Sequence, residues 1–241
     1  MGYVESLKNL HCIAGLVRDL GGARVWFSRC LVRRAVKCYL AKNPVGRLHL
    51  GAGNSTSTGW LGTDIMPRSP EILRMDATKP FPIPDMSFNY VFCEHMIEHI
   101  TWQEGALMLS ECNRILKPGG KIRIATPDLN VLLRLYCSNG SPEGDAYIRW
   151  ETDTFIDYIN QYRPAFVINN AFYNWGHRFL YDKVLLEIAL RQAGFVDIVS
   201  CLQNESSDEN LRGIEHHGRN AGNEDMIEFE TMVMEARRAP V

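Results

Sequence analysis

With 241 residues, 46% of them hydrophobic, and a net charge of −2, the chain suits one large α/β domain with additions and presents no global field that would recruit nucleic acid. Its seven cysteines include no close Cys-x-x-Cys pair, which argues against a disulfide framework or a zinc ribbon and points to a reducing cytoplasm. No apolar run approaches the roughly eighteen residues of a membrane span, and no N-terminal apolar stretch ends in a cleavage site, so neither span nor signal peptide is expected.

Residues 1–45 read as a basic helical cap. Residues 1–47 hold nine Lys or Arg against Glu5 and Asp19. One helix is expected over Met1–Leu20, ended by Gly21-Gly22, and a second over Ala23–Leu40. The second offers Trp26, Phe27, Cys30, Leu31, Ala35, Cys38 and Tyr39 for an apolar stripe, with Arg24, Arg29, Arg33, Arg34 and Lys37 off it. A basic amphipathic helix docks on a neighbouring sheet or lies on an anionic membrane. Docking is the favoured expectation, and 23–40 is the segment for any peripheral membrane contact.

The first strand, Gly46–Leu50, breaks at Gly51-Ala52-Gly53-Asn54, where absent side chains let backbone N–H groups approach a ligand. Asp64 closes the next apolar stretch, Trp60–Ile65, and a carboxylate at a strand end can accept both hydrogen bonds of a ribose diol. A dinucleotide fingerprint fits poorly, because Thr56 stands where a third glycine is needed and the span from Gly53 to Asp64 is short. Next come Arg74-Met75-Asp76-Ala77-Thr78, the strand Asn89–Cys93, then Glu94-His95-Met96-Ile97-Glu98-His99, a helix, the turn Leu116–Gly120 and the strand Lys121–Thr126.

In that order and spacing these residues resemble the class I S-adenosylmethionine-dependent methyltransferases, in particular the branch with a type 11 methyltransferase domain. The resemblance spans about residues 46–128, continues more loosely to the C-terminus, and implies a Rossmann-like, seven-stranded α/β sandwich over residues 46–241. It implies that Gly51, Ala52, Gly53 and Asn54 line the methionine part of S-adenosyl-L-methionine and that Asp64 and Ile65 flank the ribose. Asp76 and Ala77 then fall near the adenine, and Cys93 and Glu94 beside the sulfonium. Ala52 replaces the cysteine of many members, a small-for-small exchange.

His95-Met96-Ile97-Glu98-His99 admits three readings. On a helix, His95, Glu98 and His99 share one face. H-x-x-E-H is also a zinc-protease signature, but a position after a sheet strand does not suit it. Ubiquinone-pathway and small-RNA 2′-O-methyltransferases resemble the segment with E-x-x-E-H, which implies a divalent metal on His95, Glu98, His99 and His177. The favoured reading is metal-free, with His99, His95 and His177 as catalytic or hydrogen-bonded histidines.

After Asp128, expected as an N-cap, the insertion 137–178 carries much of an aromatic cluster: residues 136–181 hold twelve of the twenty-four aromatics. These serve as an acceptor-binding cap or as core, and Arg149 and Arg163 are candidates for a phosphate or carboxylate. A helix over Asp182–Ala193 and a strand over Phe195–Val199 follow. Residues 204–225 then read as a polar lid loop, with Glu215, His216, His217 and Arg219 available to a substrate, and Ile227–Glu235 as the last, antiparallel strand. The function expected is methyl transfer to a hydroxyl, a sugar's foremost, of a small-molecule or carrier-linked acceptor. A domain that binds the cofactor without catalysis is the alternative. Nothing in the sequence sets the oligomeric state.

Overall fold

The computed structural model describes residues 29–55, 57–137, 140–156 and 158–240. The expected helix over Met1–Leu20, the start of the second helix at 23–28, and Thr56 lie outside the described residues.

Seven strands form one sheet: β1 (Arg47–Leu50), β2 (Leu61–Asp64), β3 (Leu73–Arg74), β4 (Phe88–Glu94), β5 (Leu116–Pro127), β6 (Phe195–Cys201) and β7 (Thr231–Arg238), in the order β3-β2-β1-β4-β5-β7-β6. The first five run parallel, and β7 inserts antiparallel between β5 and β6. This is the Rossmann-like class I arrangement expected from the sequence. Strand order reverses between β1 and β4, the point in an open α/β sheet where a crevice forms at the strands' carboxyl ends. No helix connects β1 to β2 among the described residues, in keeping with the short span from Gly53 to Asp64.

Leu48 and Leu50 of β1, Val91 and Cys93 of β4, and Ile122 and Ile124 of β5 stand in register on one face of the sheet and join one core. Helix α2 (Trp102–Ile115) packs on it through Gly105, Met108, Leu109, Cys112 and Ile115, an i, i+3, i+4, i+7 stripe. The helix begins at a capping box: Thr101 accepts from the Glu104 amide while Glu104 accepts from the Thr101 amide. Full burial of a side chain such as Leu109 contributes about 2 kcal/mol, and truncation to alanine removes about 2–5. The turn at Leu116–Gly120 is absorbed into β5 as an irregularity: pairing passes from Phe88–Leu116 to Tyr90–Lys121, and Gly119 takes φ 77°.

The helical residues 29–42 (α1) dock on the sheet, as favoured, but by a different stripe. Val32 and Val36 enter the core with Tyr39 and Leu40 against it, whereas Leu31 and Cys38 of the expected stripe face solvent. Tyr39 settles the rotation, because its hydroxyl donates to the Gly59 carbonyl and accepts from the Arg47 amide, and its ring stacks on Phe88.

The insertion builds a second, smaller core. Helices α3 (Leu129–Cys137), α4 (Pro142–Phe155) and α5 (Pro164–Tyr173) meet through Leu132, Leu135, Tyr147, Ile148 and Val167. Trp150, Phe155 and Phe166 pack against that core, while Tyr158 and Tyr173 are exposed, so the aromatic cluster divides between core and surface. Arg149 lies over the Tyr162 ring, 4.8 Å from its centroid. Asp128 accepts from the Asn130 amide, the expected cap. Helix α6 (Lys183–Gln192) starts at the Asp182 cap and stops at Gly194, φ 87°.

Two expectations near the C-terminus are corrected. Ile227–Glu230 is helical, the end of α8 (Glu224–Glu230), and the strand begins at Thr231. Asn223 caps α8 by accepting from the Met226 amide, and Glu224 and Asp225 sit in its positive first turn, which outweighs the short alternation read as strand. The polar segment 204–225 is held to the sheet rather than standing off it as a loop. Fully buried Arg123 on β5 donates to Glu215, to Glu235, and to the Leu202 and Glu205 carbonyls. The segment also contains the short helix α7 (His217–Ala221).

Candidate active site

The site starts where β1 ends. Gly51 and Gly53 both take positive φ, 67° and 55°. A Cβ on Gly51 would lie 2.3 Å from Met96 Cγ, whereas one on Gly53 would meet nothing within 4 Å. The first glycine is therefore demanded by packing as well as by backbone, and the second leaves open space. Asp64 ties this loop to the end of β2: Gly53 N donates to Oδ2 at 3.0 Å and Met66 N donates to Oδ1 at 2.7 Å.

These residues wall one side of a cavity of about 450 Å³, a size suited to a small-molecule cofactor. Gly51, Ala52, Gly53, Asn54, Asp64 and Ile65 line that side, and Glu94, His95, Met96, His99 and His217 line the other. Seven of the ten residues that the sequence associates with the cofactor thus meet at one cavity. Asp76, Ala77 and Cys93 do not line it. The Asp76 carboxylate accepts from the Thr78 amide and hydroxyl, and Ala77 packs against the main core. Cys93 is wholly buried, backbone and side chain alike, and lies behind Glu94 in the core.

The His95–His99 segment is not one α-helix. His95 has φ 44°, and only Ile97–His99 forms a single 3₁₀ turn before α2 begins at Trp102. That left-handed step turns His95 away from His99. His95 Nε2 lies 3.0 Å from Thr231 Oγ1, and its ring stacks on His217 with centroids 3.9 Å apart. The expected four-residue set therefore separates. Glu98, His99 and His177 each offer a ligand atom within 4.8 Å of the others, and His95 is outside that group. His177 arrives from the turn after α5, where Arg178 N and Phe179 N donate to the Glu98 carbonyl and hold the turn against the 3₁₀ segment.

Burial shapes the charges here. Burial resists ionisation of both Glu98 and His95, but their mutual contact outweighs it, holding Glu98 below and His95 above their ordinary ranges. Burial, reinforced by His95, pushes His217 down to about 4, and burial pushes His49 down to about 4. Burial raises Glu94 and lowers His177. At neutral pH the cavity therefore presents a neutral imidazole, His217, stacked on the more basic His95.

The sequence reading placed His217 only in a lid and passed over Met96 and His49 as cavity residues. His217 reaches the cavity because Glu94 Oε1 accepts from the His216 and His217 amides, and no local pattern announces a contact across that separation in sequence.

Residues 48–124 match the family model described as a methyltransferase domain. The matched stretch is about a third of the chain and is similar to a methyltransferase domain. Among solved structures, a SAM-dependent methyltransferase from Archaeoglobus fulgidus is 16% identical over 87% of this chain and 94% of its own, with a TM-score of 0.47. A Haloferax volcanii methyltransferase solved in complex with the Trm112 activator is 18% identical over 85% and 88%, TM-score 0.44. Phosphoethanolamine N-methyltransferase 2 of Haemonchus contortus, solved with phosphomonomethylethanolamine and S-adenosylhomocysteine, is 16% identical over 86% of this chain and 53% of its own, TM-score 0.45. No curated protein gives a significant match. The methyltransferase domain match spans β1 to the middle of β5 and so includes the glycine turn, Asp64 and the Glu94–His99 segment.

Proposed function

We propose that the chain transfers a methyl group from S-adenosyl-L-methionine to a hydroxyl, a sugar hydroxyl foremost, on a small-molecule or carrier-linked acceptor. The observation that carries this reading is one cavity whose two walls differ in chemistry. Glycines and the Asp64 carboxylate form one wall, and histidines with Glu94 form the other.

The residues present fit the cofactor. Gly53 leaves room for close approach of its methionine part, and Asp64 stands at the strand end where a ribose diol is held. When bound, S-adenosyl-L-methionine supplies a methyl on a sulfonium, already joined to a good leaving group. The chain's own task is then to hold acceptor, methyl and sulfur in line and to exclude water. An amine acceptor would need little more. A hydroxyl must also lose a proton, and the rim formed by His95, His99 and His217, with His177 behind His99, supports an oxygen acceptor. These histidines accept or relay that proton, while Glu94 places a carboxyl group and the His217 wall beside the reacting atoms.

The test is incubation with methyl-labelled cofactor and separate pools of sugars, lipid-linked sugars and amines. Label in an acid-stable ether supports the reading, and label confined to amines refutes it. Cofactor binding without turnover in any pool would favour the non-catalytic alternative.

A further inference from the structure

The chain leaves α5 through a turn, Asn174-Trp175-Gly176-His177, whose backbone a tryptophan does not favour. The His177 amide donates to the Asn174 carbonyl, and both central residues have positive φ, 59° at Trp175 and 77° at Gly176. Glycine, asparagine and aspartate dominate such positions, because a larger side chain crowds the backbone there. A bulky aromatic in the left-handed region is an outlier, and outliers of this kind cluster at active sites and ligand clamps. The turn is fixed from both ends. Asn174 Nδ2 donates to Asn170 Oδ1, His177 Nδ1 donates to the Ala171 carbonyl at 2.7 Å, and the Arg178 and Phe179 amides donate to the Glu98 carbonyl. These contacts set the turn at the His99 end of the cavity. A Cβ on Gly176 would lie 3.9 Å from His99 Nδ1, and the His99 and His177 rings meet edge-on with centroids 4.9 Å apart.

Packing alone does not account for the indole. Trp175 is 47% exposed, and its one ring contact among the described residues is Phe155, edge-on with centroids 4.7 Å apart. Phe155 in turn meets Trp150, and Trp150 meets Tyr147, at 5.4 and 5.8 Å. A ladder of rings thus runs from buried Tyr147 in the smaller core out to Trp175. An aromatic ring held in this way loses little freedom when a ligand covers it, which favours binding at its open surface. The face of an indole is electron-rich and attracts weakly positive C–H groups.

We propose that Trp175 is the acceptor platform at the His99 end of the cavity, covering the apolar C–H face of a pyranose ring whose hydroxyls meet the polar groups around it. The inference rests on the hydroxyl-methylation reading and narrows the acceptor to a ring that is apolar on one face and hydroxylated at its edge. The neighbours suit both parts of such a ligand. Exposed Asn174 and half-buried His177 flank the indole in the chain and offer amide and imidazole groups to hydroxyls, and His99, which lines the cavity, stands next to His177. The left-handed backbone at Trp175 is then the means by which a large ring is turned outward beside the reacting end of the cavity instead of inward with Phe155.

The test uses the full chain loaded with S-adenosylhomocysteine and saturation-transfer NMR on a mixture of the methyl glycosides of glucose, galactose, mannose and rhamnose, with tetramethylammonium as a cationic control. Saturation should reach the ring C–H protons of at least one glycoside. It should fall by about fivefold or more in Trp175→Asn, the loss of one aromatic contact, while Trp175→Phe keeps roughly half or more. Asparagine suits the turn, so Trp175→Asn should match or exceed the parent's thermal midpoint and bind S-adenosylhomocysteine within about threefold of it. A lower midpoint with unchanged saturation would make the ring a packing element and overturn the platform. Saturation of tetramethylammonium and of no glycoside, in protein that binds S-adenosylhomocysteine, also overturns it, because an aromatic face that selects a cation is not a sugar platform. Methyl label transferred to amines alone defeats the functional reading itself, whereas label on a sugar hydroxyl with the same KM in parent and Trp175→Asn defeats only the platform.

Discussion

Glu94 Oε1 accepts a hydrogen bond from the His217 backbone amide at 2.9 Å, and from the His216 amide at 2.8 Å. The residue that ends β4 thereby fixes a segment 123 positions further along and delivers the His217 ring to the cavity beside His95. Removing the acceptor leaves two amides to find other partners, so Glu94→Ala should lower unfolding free energy by about 1–3 kcal/mol, measured by urea denaturation. Glu94→Gln keeps a carbonyl acceptor and should lose less than half as much. Equal stability of Glu94→Ala and the parent would mean that this carboxylate does not secure the segment.

The two glycines of the cofactor loop should separate stability from binding. Gly51→Ala combines a left-handed backbone with a Cβ 2.3 Å from Met96 Cγ and should destabilise by roughly 2–4 kcal/mol, seen as a lower thermal midpoint. Gly53→Ala meets no neighbouring atom and should lose only about 1 kcal/mol from its φ, yet weaken binding of the methyl donor by tenfold or more. Comparable effects of both substitutions on both readouts would show that Gly53 does not face the ligand.

Arg123 on β5 is fully buried between Glu215 and Glu235, and it also donates to the Glu205 and Leu202 carbonyls. Arg123→Met leaves two buried carboxylates without their partner and should cost about 3–5 kcal/mol. Combining Arg123→Met with Glu215→Gln and Glu235→Gln removes the stranded charges and should recover at least half of that loss in chemical denaturation. No recovery would show that shape, and not charge, sets the role of the cluster.

Glu151, on α4 in the smaller core, has its carboxyl pushed up to about 7 from the ordinary 4.5, by burial first and by the nearby Glu230, against the Asn170 amide that donates to it. Between these two values the folded chain holds a proton that the unfolded chain has released. Stability contributed at this site therefore falls as pH rises from about 4.5 to about 7, by up to ~3 kcal/mol. Glu151→Gln should flatten that part of the pH profile and be the more stable form at pH 8. A parent and variant that fall in parallel across this window would exclude Glu151 as the source.

Much of the frame was legible because it is local. The Gly51–Gly53 turn, the acid closing β2, the Asp182 cap and the Gly194 stop are set by backbone chemistry within a few residues. The stripe of α1 was misread by one position because Tyr39 hydrogen-bonds to Arg47 and Gly59, contacts that a helical period does not contain. The site was half legible. Glu98, His99 and His177 were named together, but the spacing that included His95 assumed an α-helix, and the left-handed step at His95 breaks that face. His217 was out of reach because its place depends on the Glu94 and Arg123 contacts, both made across the sheet.

The most direct measurement is isothermal titration of S-adenosyl-L-methionine and S-adenosylhomocysteine into the parent protein and into Asp64→Ala. A cavity walled by Gly51, Gly53 and Asp64 should bind one equivalent of each, and loss of the Asp64 carboxylate should weaken both by roughly 10–100-fold, as expected when a charged hydrogen-bond partner worth about 1.5–3 kcal/mol is removed. Failure of the parent to bind either compound, or unchanged affinity in Asp64→Ala, would contradict the assignment of this cavity to the methyl donor.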